Sequence, residues 1–221
     1  MHSRSKAVFV VVLVVFTLTV ALAASAVEPK KSTGTSATNP PKYVPKPDAI
    51  LITEGFETSV PPAGWTAQVT NAAYTWKRAT AGTPHGGSYF ADVEYDPALV
   101  PQNEWLLSPV QNMAAGTTTL SFWSQGSVYW CRDTYNNCDL EVWLVVGAIG
   151  GGDDVLLGLA DPNWTASYTW SQTTFDITAQ LPRNAAIGFR YTGTDGAQVG
   201  LDDVTLDGTL VPVGLQQFTI E

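Results

Sequence analysis

The sequence has few basic residues for its length. Its 221 residues include 11 Lys or Arg against 20 Asp or Glu. From residue 49 onward, 18 acidic side chains face five basic ones, a formal charge of −13. A surface of this sign repels phosphates, whose neutralisation drives nucleic-acid binding, so we exclude nucleic acid as a partner. The same charge favours cations and helps to keep an exported chain in solution.

Residues that support catalysis are also scarce. The two histidines are His2 and His85, and no H-E-x-x-H motif or nucleophile elbow is present. A Ser-His-Asp triad through His85 remains conceivable because triad residues come together only in space. With so many acids, the closeness of Asp139 and Glu141 in sequence does not indicate a glycosidase pair. We therefore predict that the chain is not an enzyme.

The chain has one long apolar run, at its N-terminus. Residues 7–23 carry no charge, follow Arg4 and Lys6, and precede the small residues Ala24-Ser25-Ala26. This order is typical of a signal peptide. The alternative is a transmembrane anchor, but a span needs about 20 apolar residues and this run is slightly short. We predict a signal peptide over 1–26, no transmembrane anchor in the mature chain, and a secreted, extracellular or cell-surface location.

Composition divides the rest of the chain into three parts. Residues 27–48 hold five prolines and four lysines and have little to bury, which indicates an extended linker. Residues 49–208 are long enough to bury the core of one domain. The tail at 209–221 fits either one more strand packed on this domain or the stub of a next domain.

Only two cysteines occur, Cys131 and Cys138. Export would place them in an oxidising compartment, where such a pair forms a disulfide. A zinc site is the alternative, but two thiols without a nearby histidine are too few ligands. We predict a disulfide that closes a hairpin tip and stabilises the fold by about 2–3 kcal/mol.

No stretch after residue 48 has helical periodicity. Short alternating runs separated by Gly, Pro, Asn and Asp predict an all-β domain with eight to eleven strands, arranged as a two-sheet β-sandwich. The predicted strands cover 50–57, 65–69, 74–79, 88–94, 104–109, 118–129, 139–147, 154–160, 170–177, 185–192 and 198–207.

Alternation along two of these strands places tryptophans on polar faces. In the 139–147 run, Glu141 and Trp143 share the face opposite the aliphatic residues, and in the 118–129 run Trp123 lies opposite Leu120 and Phe122. One interpretation is that a second layer or loop covers these indoles, because Trp is rarely fully exposed. The other is an aromatic platform for sugar rings. On the second interpretation, the ligand-binding residues are Trp123, Trp143 and Glu141.

The same alternation places three acids in line with apolar residues. Glu54 alternates with Phe56, Asp92 with Phe90, and Asp202 with Val204. A buried carboxylate without a partner is costly, and a hard cation with oxygen ligands satisfies several at once. We therefore predict a structural Ca²⁺ held by Glu54, Asp92 and Asp202. The alternatives are a strand bulge that turns an acid outward, or pairing with Arg190.

Four motifs occur in a recognisable order. They are EGFE with PPAGW at 54–65, NEWLLSP at 103–109, LSFW at 120–123, and GLDDV at 200–204. This set resembles the choice-of-anchor J, or cleaved-adhesin, domains, to which the MAM domain is a distant cousin. The hairpin between Cys131 and Cys138 is not part of the family pattern.

The resemblance implies a two-sheet jelly roll, usually calcium-bearing, in secreted or surface proteins of bacteria. It implies neighbouring first and last strands, which would bring Glu54 and Asp202 together, and carbonyl ligands from Gly86-Gly87-Ser88. Such domains mostly serve adhesion or substrate targeting. We therefore expect a non-catalytic binding or adhesion module that recognises a glycan or a cell-surface protein. The alternatives are a structural matrix protein without a discrete ligand, or a secreted hydrolase.

Overall fold

The computed structural model of the chain describes residues 49–79 and 81–208. The signal peptide, linker and tail predicted at 1–26, 27–48 and 209–221 lie outside the described residues. Within the described part, no helix is long and apolar enough to cross a membrane.

Twelve strands form the framework of the described residues. They are β1 (Ala49–Glu54), β2 (Thr66–Gln68), β3 (Lys77–Arg78), β4 (Ala91–Val93), β5 (Gln102–Leu107), β6 (Gln111–Met113), β7 (Thr119–Gln125), β8 (Cys138–Val145), β9 (Val155–Leu159), β10 (Ser171–Asp176), β11 (Arg183–Gly193) and β12 (Val199–Gly208). The helical segments described are short turns at Tyr129–Asp133, Asp161–Asn163 and Thr178–Gln180. The prediction of an all-β fold is confirmed.

The strands form two antiparallel six-stranded sheets. The first sheet has the order β10-β7-β12-β4-β3, with β1 also paired to β12. The second has the order β2-β5-β11-β8-β9, with β6 also paired to β11. Because most neighbouring strands, apart from β3 with β4 and β8 with β9, are not consecutive in sequence, the fold is a β-sandwich of the predicted kind rather than a series of hairpins.

The core lies between the inner faces of the two sheets. Along β7 and β8, alternate residues are fully buried, with Leu120 and Phe122 from one sheet and Leu140 and Val142 from the other. Phe122 packs edge-on against Phe189 of β11, with ring centroids 5.0 Å apart. This contact joins the sheets, and the polar residues that alternate with the core residues therefore lie on the outer faces.

The first and last strands are neighbours, as expected. Ile52 lies opposite Leu206, and Glu54 lies opposite Val204. The prediction that β1 and β12 bring distant parts of the sequence together is confirmed.

The three predicted calcium ligands do not share a core face, and the reason at Asp202 is a β-bulge. The pairing of β12 with β7 shifts between Asp202 and Thr205, and Asp203 has a φ of 46°. Leu201 and Val204 both belong to the core, although they are three residues apart. Asp202 therefore points to the outer face of the first sheet, and its predicted core-facing position is wrong.

The other two acids also lie outside the core. Ala91 and Val93 are the core residues of β4, so Asp92 faces outward with Phe90, which Trp170 covers at a centroid distance of 5.3 Å. Glu54 is half-buried and accepts a hydrogen bond from the Phe56 amide at 2.7 Å. Neither carboxylate therefore belongs to the hydrophobic core between the sheets.

The predicted disulfide is present, but it does not close a hairpin tip, because β7 and β8 belong to different sheets. Cys131 and Cys138 are bonded across the connection from β7 to β8, and the helical turn Tyr129–Asp133 contains the first of them. Both cysteines belong to the hydrophobic core. The bond therefore ties the base of this connection to the interior.

Candidate functional site

The outer face of the second sheet brings aromatic and charged side chains into register. Arg190 on β11 lies opposite Trp105 on β5 and opposite Glu141 on β8. One step along the strands, Gly188 lies opposite Trp143. Because side chains of directly opposed residues emerge on the same face, these four side chains form one surface with Gly188 at its centre.

Gly188 provides the space over which the two indoles meet. A Cβ at this position would lie 3.1 Å from each of the Trp105, Leu107 and Val145 side chains. The Trp105 and Trp143 rings lie 5.9 Å apart at an angle of 51°. The absence of a side chain at Gly188 therefore lets both rings settle close to the sheet backbone.

A hydrogen-bonded chain of polar groups fixes this surface. Glu141 Oε2 accepts hydrogen bonds from Trp143 Nε1 at 2.7 Å and from Arg190 Nη1 at 3.0 Å. Arg190 Nε donates in turn to Asn103 Oδ1 at 2.7 Å. The Arg190 guanidinium also lies 5.4 Å from the centre of the Trp105 ring. Trp143 is thus held in one orientation while remaining partly exposed.

A pocket of about 360 Å³ opens over this surface. Asp154 shapes its far wall by accepting hydrogen bonds from the amides of Val146 and Gly150 at 2.7 and 2.8 Å. The pocket is lined by Gln68, Asn103, Trp105, Trp143, Ile149, Gly150, Gly151, Asp154 and Arg190. A second, shallower hollow of about 460 Å³ also has Arg190 in its wall, along with Asn136, Asp139 and Thr192. We call the two hollows together the outer-face groove.

Trp123 lies on the other sheet and does not join Trp143. Its ring stacks on the His85 imidazole, with centroids 3.8 Å apart and an interplanar angle of 14°. Trp170 closes the edge of this stack, 6.2 Å from His85. The two tryptophans of the predicted platform therefore lie on opposite outer faces of the sandwich. His85 occupies one face of the Trp123 ring, which otherwise remains partly exposed, as Trp143 does.

The segment that covers Trp123 is anchored by Asp202. Its Oδ2 accepts hydrogen bonds from the amides of His85 and Gly86 at 2.9 and 3.1 Å, and its Oδ1 accepts one from Asp203 at 2.8 Å. Burial raises the pKa of Asp202, and the neighbouring charge of Asp203 raises it further. Three backbone donors thus satisfy a carboxylate that the sequence had left without a partner.

Asp92 has a different partner and a different place. Its Oδ1 accepts a hydrogen bond from Gln198 Nε2 at 2.8 Å, and burial raises its pKa to about 6. Arg190, the alternative partner considered for the predicted ligands, pairs with Glu141 instead. Among the residues described, no group of three His, Cys, Asp or Glu side chains has an arrangement that could hold a metal ion. The trio Glu54, Asp92 and Asp202 is therefore not assembled.

Another pair of carboxylates does converge on the covering segment. Glu57 accepts hydrogen bonds from the amides of Ser88 and Tyr89 at 3.0 and 3.2 Å. A Cβ on Gly87 would collide with the Glu57 carboxylate, and one on Gly86 would lie 2.6 Å from Asp203 Oδ2. These two glycines let both carboxylates rest against the backbone. In the sequence, these two carboxylates were visible as the second Glu of the EGFE motif, Glu57, and the second Asp of the GLDDV motif, Asp203.

His85, the one histidine among the described residues, lies beside a carboxylate. Its Nδ1 lies 2.6 Å from Asp203 Oδ2. No hydroxyl or thiol in residues 49–79 and 81–208 hydrogen-bonds the imidazole, and its ring is stacked on Trp123. The geometry gives no support to a triad through this histidine.

Sequence reasoning identified Glu141 and Trp143 but missed most of the groove. Trp105, Asn103 and Asp154 became visible only through the pairing of β5, β11 and β8 and the return of the β8–β9 loop. The position of Trp105 within the NEWLLSP motif was the one available hint. Strand order, which is a long-range property, decides which outward side chains become neighbours.

No family profile and no curated protein matches the sequence. Solved structures do resemble the fold. The K3 cleaved adhesin domain of Lys-gingipain from Porphyromonas gingivalis W83 is 21% identical with a TM-score of 0.56, over 73% of this chain and 99% of that domain. The K1 cleaved adhesin domain of the same protein is 18% identical with a TM-score of 0.53, over 71% and 97%. At such identities, the likeness establishes an adhesin-like β-sandwich fold.

Proposed function

We propose that the chain is an exported, non-catalytic binding module that recognises a glycan in the outer-face groove. The carrying observation is the partly exposed Trp143, which Glu141 holds in one orientation beside Trp105. Aromatic rings with a few well-placed polar groups are the usual composition of a small-molecule site. Membership of the choice-of-anchor J family and retention on a cell surface belong to the same proposal.

The groove chemistry favours a neutral sugar over an acidic one. A pyranose ring offers an apolar face to Trp143 and hydroxyls to Asn103 and Gln68, which line the same pocket. The charges of the groove are those of Asp139, Glu141 and Asp154 against that of Arg190. A uronic acid or a sulfated sugar would meet this negative balance, which opposes its binding.

The two hollows also favour an oligosaccharide over a single sugar. They adjoin at Arg190 and run across β5, β11 and β8. A chain of sugars that crosses these strands would contact Trp143 at one of its ends and Asp139 at its other end. A glycan-bearing surface protein would be recognised through the same contacts.

Binding to an oligosaccharide panel tests this function. We expect a neutral oligosaccharide to give a saturable heat of binding and to quench tryptophan fluorescence. Trp143→Ala should abolish both signals, while Tyr89→Ala, which removes an exposed ring elsewhere, should leave them unchanged. If folded protein binds acidic glycans alone, or no glycan on a broad array, the proposal is wrong.

A structural Ca²⁺ ion remains part of the proposal, at a different set of oxygens from the trio first considered. The turn containing Glu57, the Gly86-Gly87 segment and the bulge at Asp203 meet at one place. Carboxylate and carbonyl oxygens are ligands that suit Ca²⁺. Bound ion would relieve repulsion between these acids and hold the covering segment to β12.

Chelation tests the ion separately from the glycan. An ion that binds only the folded state stabilises it by about 2.7 kcal/mol at a hundredfold excess over its dissociation constant. We expect EDTA to lower the Tm and Ca²⁺ to restore it better than Mg²⁺. Asp203→Asn should respond little to either addition. Identical melting curves in EDTA and in Ca²⁺, with no calcium by elemental analysis, would remove the ion from the proposal.

A further inference from the structure

A second aromatic pocket lies at one end of the sandwich, beside the hollow of the outer-face groove that Asn137 lines. It has a volume of about 260 Å³ and is lined by Tyr95, Trp130, Tyr168, Asp195, Gly196 and Ala197. We call it the end pocket. Three of its six lining residues are aromatic, and Tyr95 and Tyr168 are 41% and 53% exposed. Exposed aromatic surface gathered in one hollow is typical of a binding site.

The disulfide and the β11–β12 loop fix the floor of this pocket. The Ala197 amide donates to Cys138 Sγ at 3.3 Å, and Tyr191 Oη donates to the Ala197 carbonyl at 3.2 Å. A Cβ on Gly196 would lie 2.6 Å from Tyr191 Oη and 2.7 Å from Cys138 Cβ. The floor is therefore packed tightly, and the pocket keeps its shape.

The walls are held as firmly as the floor. Trp130 stacks on Tyr135, with centroids 4.5 Å apart at 17°, and its amide donates to Ser127 Oγ. Tyr168 adopts a φ of 55°, and its amide donates to the Gly126 carbonyl at 2.8 Å. The backbone thus presents these two rings to the pocket in fixed positions.

The lining of the end pocket contains no basic residue, whereas that of the groove contains Arg190. Asp195 is the charged residue of the end pocket's lining. The nearby Arg132 is engaged by Asp133 and by the Trp164 carbonyl. Aromatic faces carry negative electrostatic potential and attract cations within about 6 Å, most of all when a carboxylate lies beside them.

We propose that the end pocket binds a quaternary ammonium group between Tyr95, Trp130 and Tyr168, with Asp195 as its counter-charge. The three aromatic rings and a single carboxylate, with no basic residue among the lining, suit a cation. A primary ammonium is more strongly hydrated and would lose more on entering an aromatic hollow. The charge of −13 over residues 49–221 attracts such a cation to the chain.

Choline and its uncharged isostere, 3,3-dimethyl-1-butanol, test the proposal on the unmodified protein. The two have nearly the same shape, so the difference between them reports the charge alone. We expect choline to shift the amide NMR signals around Trp130, Tyr168 and Asp195 saturably, and to bind about tenfold more tightly than the isostere. Equal binding of both would overturn the proposal, as would the absence of shifts at these residues.

Variants locate the site independently. Trp130→Leu and Tyr168→Leu should each weaken choline binding severalfold, and Asp195→Asn should reduce the preference for choline over the isostere. Tyr89→Ala should change neither. Two leucine variants guard against a failure of one to fold, since Trp130 adjoins the disulfide. Unchanged choline binding in a folded Tyr168→Leu protein would overturn the assignment.

Two further probes distinguish the source of the cation. Phosphocholine represents a headgroup, and Nα-acetyl-trimethyllysine amide represents a modified protein side chain. Tighter binding of either supports a cation site and identifies its source. Binding of a neutral monosaccharide in this pocket in place of choline would contradict the proposal. Because Trp143 and Glu141 are not involved, failure here leaves the proposed glycan site untouched.

Discussion

The two outer faces of this sandwich begin from the same pattern and end differently. Each sheet places a tryptophan outward, Trp123 on β7 and Trp143 on β8. On the first sheet, the 81–89 segment covers the ring and His85 stacks on it. On the second, the β8–β9 loop stops at the side of the ring and leaves a pocket. Both rings are partly exposed, but an imidazole from a loop segment occupies a face of Trp123, whereas a pocket opens beside Trp143.

Asp202 is a main anchor of the segment that stacks on Trp123. Asp202 accepts two amide hydrogen bonds from the covering segment because the bulge at Asp203 turns its carboxylate outward. The second sheet has Glu141 as its outward carboxylate, and that group binds side chains of its own sheet. One carboxylate therefore fastens a cover, and the other orients an exposed ring.

Removing the anchor should have the largest effect on stability. Asp202→Ala leaves three amide donors without an acceptor, each worth about 1–3 kcal/mol when buried. We expect a loss of about 3 kcal/mol or more in urea unfolding, and faster hydrogen exchange at His85 and Gly86. Glycan binding on the other sheet should persist. The exposed Asp207→Ala is the control, and a loss for Asp202→Ala as small as that of the control would contradict the anchor.

Truncating the two tryptophans should give opposite results. Trp123→Ala removes a stacked, partly covered ring and should cost about 2–3 kcal/mol, somewhat below the cost for a fully buried one. Trp143→Ala should cost about 1 kcal/mol or less, yet eliminate glycan binding. Urea unfolding and calorimetric titration of both variants measure this contrast. Equal destabilisation by the two changes would mean that Trp143 serves packing and not binding.

Raising the pH should destabilise the fold through two buried carboxylates outside the groove. Burial raises the pKa of Asp92, beneath the first outer face, and of Asp161, beside β8, to about 6 in each case. The folded state therefore holds protons that the unfolded state releases, and the stability they provide is lost as pH rises through about 6. Between about pH 5 and pH 7, we expect each of these two carboxylates to lower the free energy of unfolding by about 1 kcal/mol.

Amide substitutions check this pH dependence. Asp92→Asn and Asp161→Asn should each flatten part of the fall in Tm, and the double variant should flatten most of it. Denaturation curves at several pH values give the measurement. A Tm that rises over this pH range in the unmodified protein would show that these carboxylates are not the controlling groups.

The smallest effect on stability is expected at Glu141. Glu141→Gln keeps an acceptor for Trp143 Nε1 but removes the charge that pairs with Arg190. A partly exposed pair of this kind contributes about 0–1 kcal/mol, so the Tm should change little. Glycan affinity should fall severalfold because Arg190, which lines the pocket beside Trp143, loses the charge that holds it in place. Unchanged affinity would separate Glu141 from the site.

Alternation succeeded where strands are regular. It paired Glu141 with Trp143 on one outward face and placed Leu140 and Val142 inside, as the structure has them. It failed at Asp202 because one extra residue in the bulge reverses every later side chain. At Asp92 the prediction of a face shared with Phe90 was correct. That face is not the core face, however, because Phe90 packs against Trp170.

The sequence by itself determined the all-β class, the cysteine pair, the pairing of the terminal strands and the outward direction of Trp143. These properties follow from a period of two residues, from cysteine content, and from ordered short motifs. Only the tertiary structure decided that His85 stacks on Trp123, that Asp202 is satisfied by amides, and that Trp105 and Arg190 join Trp143. The reason is distance along the chain, since Asp202 meets His85 across 117 residues, and no local pattern encodes such a contact.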